Sequence, residues 1–202
     1  MFKKHFCLSI ILCLFILIFP CGCSDEEMFS TDETNISINK KGVVTYTIYE
    51  SFDKSYYNET ELKDTIDFQI AEYCEANSNN KAVKLDEYYV KDGVACVKMI
   101  FATGEDFSAF NGVDFFYGTV SEAIDKGYIT NVSLKNVEDG TMIGQTEFVN
   151  LTDNMIAIVS ESVPVIVQKK KILYTTANVD VYDKNVAKMS SESSGLAYIV
   201  LK

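Results

Sequence analysis

The chain has 202 residues, 48% of them hydrophobic and 23% charged, with 18 basic residues against 29 acidic ones and a formal net charge of −11. These proportions belong to a folding globular chain and exclude a disordered acidic tail. All the basic residues are lysines, tryptophan is absent and His5 is the one histidine, so guanidinium recognition of phosphate is excluded and no nucleic-acid partner is expected.

Lys3 and Lys4 precede an apolar run over residues 6–19 in which only Ser9 is polar. A spanning helix needs about 20 apolar residues, so the shorter run predicts a secretory signal. The acidic stretch Ser24-Asp25-Glu26-Glu27 beyond it supplies the charge asymmetry of an exported chain. Pro20-Cys21-Gly22-Cys23 is similar to a bacterial lipobox, with Gly22 directly before Cys23 and Pro20 where leucine is usual. That resemblance implies a leader at 1–22, a diacylglyceryl thioether on Cys23, and the membrane as partner through this anchor, on the extracytoplasmic face of the cell membrane. Two acyl chains suffice for stable anchoring where one does not.

His5 would leave with such a leader. Ser-His-Asp and Cys-His catalysis would then lack their base, and zinc or copper sites built on histidine their ligands. Cys23, Cys74 and Cys96 are too few for a four-thiolate site, so neither metal nor cofactor is expected. Cys74 and Cys96 could form a disulfide outside the membrane if the helix predicted for one packs on the strand predicted for the other. The alternative is two buried thiols acting as small apolar residues.

Residues 23–41 read as an acidic tether, with an ordered first strand at 35–39 as the other reading. From residue 42 the pattern is structured. Val44, Tyr46 and Ile48 alternate with Thr45, Thr47 and Tyr49, the period of a half-buried strand. Asn58 with Glu61 three residues on predicts a capped helix over 59–76, with Leu62, Ile66, Ile70 and Tyr73 on its buried face and Phe68 opposite. Asp92-Gly93 predicts a hairpin between strands at 82–90 and 94–102, in a register that sets Glu87 against Lys98.

A short helix follows at 105–111. Thr119 with Glu122 repeats the capping pattern, and Gly127 supplies a left-handed stop. Residues 131–202 are β-rich, with strands at 155–159, 163–167, 172–176, 179–182 and 196–201. Pro164 is expected at a strand start or on an edge. The whole predicts one α+β domain over 42–202, a mostly antiparallel sheet with one main helix and one or two short ones. A separate small β unit at 131–202 is the second reading.

Ser51 and Lys54 are spaced as in Ser-x-x-Lys nucleophiles, the one serine chemistry that needs no histidine, but the companion elements of that family are missing. A carboxylate pair could drive glycoside hydrolysis, with Glu105, Asp106 and Asp114 near aromatic residues and Asp64, Asp67, Glu72 and Glu75 on the solvated helix face. The aromatic segment 101–128 offers Phe107, Phe110, Phe115 and Tyr117 either as a partner-binding groove or as core. Lys169-Lys170-Lys171 reads as a solvated connection.

The stretches Glu50-Ser51-Phe52-Asp53-Lys54-Ser55-Tyr56-Tyr57, Asp106-Phe107-Ser108-Ala109-Phe110-Asn111 and Phe116-Tyr117-Gly118-Thr119 resemble a group of uncharacterised lipid-anchored lipoproteins of low-GC, gut-type Gram-positive bacteria. The resemblance implies surface attachment and no established catalytic residues, so it transfers no site beyond Cys23. The expected function is a non-catalytic binding or structural module for a protein or cell-envelope partner. A histidine-free hydrolase using Ser51 and Lys54 or a carboxylate pair is the alternative.

Overall fold

The computed structural model describes residues 32–190 and 193–202. Cys23 and the expected leader therefore lie outside the described residues. In chain order the elements are β1 (Asn35–Ile38), β2 (Val44–Ser51), α1 (Glu59–Ala76), β3 (Val83–Lys91), β4 (Val94–Phe101), α2 (Gly104–Asn111), β5 (Phe115–Thr119) and α3 (Val120–Asp125). There follow β6 (Leu134–Asn136), β7 (Met142–Ile143), a 3-10 turn at Gln145–Asn150, β8 (Met155–Val159), β9 (Val165–Val167), β10 (Ile172–Thr175), β11 (Val179–Asp183), β12 (Val186–Met189) and β13 (Ala197–Leu201).

Two sheets form, in the orders β11-β12-β9-β1-β2-β4-β3 and β5-β8-β13-β10-β6-β7. Ile36, Ile38, Val44 and Val165 from the first share one core with Ala157, Ile199 and Leu201 from the second, all at or near zero exposure. The opposite face of the second sheet, with Ile156, Ile158 and Val200, packs under Val120 and Ala123 of α3 and Phe148 of the 3-10 turn. Period-two alternation makes this layering possible, because neighbouring residues of β8 and β13 feed different cores. The α+β expectation holds in one domain. A separate unit at 131–202 does not form: β9 from that part pairs in parallel with β1, and Ile36 N–H donates to the Pro164 carbonyl at 2.9 Å.

That pairing also corrects the tether. Residues 35–38 are an interior strand between β2 and β9, with Ile36 and Ile38 fully buried, so the ordered chain begins before residue 42. Two buried isoleucines and two ladders of hydrogen bonds outweigh the polar Asn35 and Ser37 that suggested a linker. Pro164 stands immediately before β9, where its missing N–H breaks no ladder bond.

Helix α1 runs over the predicted residues. The Asn58 side chain accepts from Glu61 N–H at 3.2 Å, and Phe68 is 66% exposed. Asp92 and Gly93 both take positive φ, 51° and 76°, which closes the expected β3–β4 hairpin. Glu87 does lie opposite Lys98, but a register shift between Leu85 and Glu87 brings Asp86 to the lysine instead, 3.2 Å away. Thr119 and Glu122 complete a capping box on α3, and Gly127 turns with φ 79°.

Candidate functional site

Helix α1 lies on β3, tied by the Tyr88 hydroxyl, which donates to the Glu59 carbonyl at 2.7 Å. Only Ile66 of its apolar stripe is buried, while Leu62, Ile70 and Tyr73 are partly covered. At its far end the Tyr73 hydroxyl donates to Asp106 Oδ1 at 3.3 Å and its ring meets Phe110 edge-on at 5.4 Å, which fixes α1 to α2. Burial, followed by the Asp106 carboxylate, pushes the Tyr73 phenol above its ordinary pKa, so it stays a neutral donor.

Between α1 and β2–β4 these contacts leave an apolar groove of about 590 Å³. Its floor is Ala95, Val97 and Met99 of β4. Leu62, Ile66 and Gln69 of α1 form one wall. Ile48, Glu50 and Ser51 of β2 form the other, and Phe110 and Asn111 close the end. Phe52 and Tyr57, stacked with centroids 4.8 Å apart at 30°, stand over the mouth. Size and lining are those of a small-molecule site, mostly apolar with a few polar groups.

The expected site residues fall partly here and partly elsewhere. Phe107 and Phe115 are 1% and 4% exposed and meet each other at 4.8 Å, so the partner-binding reading of Phe107 is corrected to core, while Phe115 and Tyr117 line a second, smaller cleft of about 300 Å³ with Gly104 and Tyr128. Phe107 also meets Tyr46 and Phe101 edge-on, at 5.4 and 5.2 Å, an arrangement that buries large apolar areas and satisfies the ring quadrupoles. Tyr117 packs against Gly42 and its hydroxyl is buried without a hydrogen-bond partner among the described residues. Burial raises its pKa. Only Phe110 of the four lines the groove.

Cys74 and Cys96 are free thiols, which corrects the disulfide reading. The reason is alternation. Val97, Met99 and Phe101 of β4 face α1, whereas Cys96 points through the sheet to the outer face, opposite Tyr49 on β2 and Tyr89 on β3. Cys74 Sγ–H stays on the helix side and donates to the Val83 carbonyl at 3.5 Å.

Ser51 lies on the groove wall, but Lys54 Nζ is against Asp53 Oδ1 at 3.2 Å and makes no hydrogen bond to Ser51. Three of the candidate carboxylates have structural partners: Asp106 accepts from the Thr103 hydroxyl at 2.8 Å, Glu105 from Lys126 at 2.8 Å, and Asp67 binds Lys63. Lys171 pairs with Glu138, in keeping with a solvated connection. Among the described residues no group of three or more His, Cys, Asp or Glu is placed to hold a metal ion.

The groove itself escaped the sequence, although each lining residue was in view. It is a property of where α1 lies across β3 and β4, and no local pattern encodes that placement. The Glu50–Tyr57 stretch, which covers β2's end and the mouth, was the one usable signal. No protein-family model, no curated protein and no solved structure matches the chain.

Proposed function

We propose that the chain is a lipid-anchored, extracytoplasmic binding module, without catalysis of its own, that holds a ligand of the cell envelope or a partner in the groove beneath α1. The observation that carries the reading is the groove: about 590 Å³, with an apolar floor, walls of mixed apolar and polar side chains, and its serine, Ser51, left without a lysine base. The lipobox-like Cys23 supports the anchor, and the exposed, acidic surface suits a domain standing off an anionic membrane.

Radiolabelled palmitate is expected to enter the chain and not its Cys23→Ala variant; equal labelling would overturn the anchor. In an envelope extract the wild type is expected to retain material that Gln69→Trp, which fills the groove from its α1 wall at an exposed helix position, does not. Equal retention by the two would remove the groove from the function.

A further inference from the structure

Resting on that binding reading, we infer that the groove takes a small organic cation: an ammonium group carried on an apolar, preferably aromatic, body. Among the described residues Glu50 is the only charged side chain in the lining, and it makes no ion pair or side-chain hydrogen bond with a described residue. The lysines nearest the mouth in sequence are engaged elsewhere, Lys54 with Asp53 and Lys63 with Asp67. An anionic ligand would therefore meet an unpaired carboxylate and no cation, in a chain of net charge −11.

Further groups favour the same sign. Burial first, then the carboxylates of Glu161 and Glu50, hold the Tyr46 phenol above its ordinary pKa, so both acids act on this corner of the sheet. Asn111 spends an amide N–H on the Phe107 carbonyl at 2.8 Å, which leaves its side-chain oxygen as an acceptor for a ligand N–H. Phe52, Tyr57 and Phe110 line the same space, and the negative faces of aromatic rings attract cations. The groove far exceeds what an ammonium fills and its floor is apolar, so the cation must carry an apolar body.

The test titrates the full chain, held in nanodiscs of an uncharged glycolipid with empty discs as the blank, with phenylbutylammonium, phenylbutanol and phenylpentanoate. At low salt the cation is expected to bind about tenfold more tightly than the carboxylate, the combined size of an exposed ion pair and a cation–ring contact. High salt should shrink that ratio. Glu50→Gln should cut the cation's advantage to the part that the ring contact alone supplies and leave the alcohol unchanged, while Gln69→Trp should weaken all three. Equal binding of cation and carboxylate, or a preference undiminished by Glu50→Gln, would overturn the charge assignment and leave the groove as a site. Binding of none of the three would overturn both.

Discussion

The Thr34 hydroxyl is bonded to both backbone groups of Tyr49, accepting from its N–H at 2.9 Å and donating to its carbonyl at 3.2 Å. A side chain here continues the β1–β2 ladder one step past Asn35, so the strand enters the sheet already in register. Thr34→Val keeps the shape and removes both bonds. It should cost about 1–2 kcal/mol, read as a lower urea midpoint at unchanged slope. Deleting the chain through Ile38 should abolish cooperative unfolding, because it removes two buried isoleucines and bares the edges of β2 and β9. A deletion mutant that melts like the parent would restore the tether reading for this segment.

Phe107 and Tyr117 should respond in opposite directions. Phe107→Ala empties a site enclosed by Tyr46, Phe101 and Phe115 and should destabilise the fold by about 3–5 kcal/mol in thermal or urea unfolding. Tyr117→Phe deletes a buried hydroxyl that finds no partner among the described residues, so stability should be unchanged or rise by about 1 kcal/mol. A clear loss in Tyr117→Phe would mean that the hydroxyl is satisfied in solution.

Stability should fall in mild acid. Glu122 is held below the usual carboxylate range by the Thr119 backbone N–H and hydroxyl, Glu138 by Lys171, and Asp139 by the Thr141 hydroxyl and N–H. Each folded value lies below its unfolded one, about 4.3 for Glu and 3.9 for Asp. Their contribution is therefore complete above those unfolded values and is lost as pH drops through the lower folded ones. Melting temperature against pH should decline below about pH 4.5, less steeply in Glu122→Gln, which keeps an acceptor without the titration. An identical pH profile in the variant would refute the capping contribution.

The two thiols should label at different rates. Cys74 is partly exposed and should react with an aromatic disulfide reagent in the native state, whereas Cys96, 1% exposed beneath the outer face, should react only on unfolding. Reductant should leave the melting temperature of the oxidised preparation unchanged. Mass spectrometry that finds Cys74 joined to Cys96 in native protein would contradict their placement on opposite sides of the sheet.

Elements closed by local chemistry were legible in the residues. Asn58 and Glu61 start α1, Asp92-Gly93 turns β3 into β4, and Thr119 with Glu122 starts α3, each through bonds spanning three or four positions. β12 and β5 were missed because Val186–Met189 is short and follows a turn, and because the aromatic run Phe115–Phe116–Tyr117 alternates between two cores instead of between core and solvent.

Composition and spacing alone account for the α+β class, the capped helices, the hairpin and the single histidine with no arginine or tryptophan, since all of these depend on residue type and near neighbours. Assembly in three dimensions settled the rest: that β1 lies between strands at opposite ends of the chain, that Cys96 turns away from Cys74, that Phe107 and Phe115 fill a core, and that a groove stays open under α1. Those outcomes follow from which side of a sheet faces which layer. Pairings across more than a hundred residues decide that, and the alternation in any one strand leaves it open.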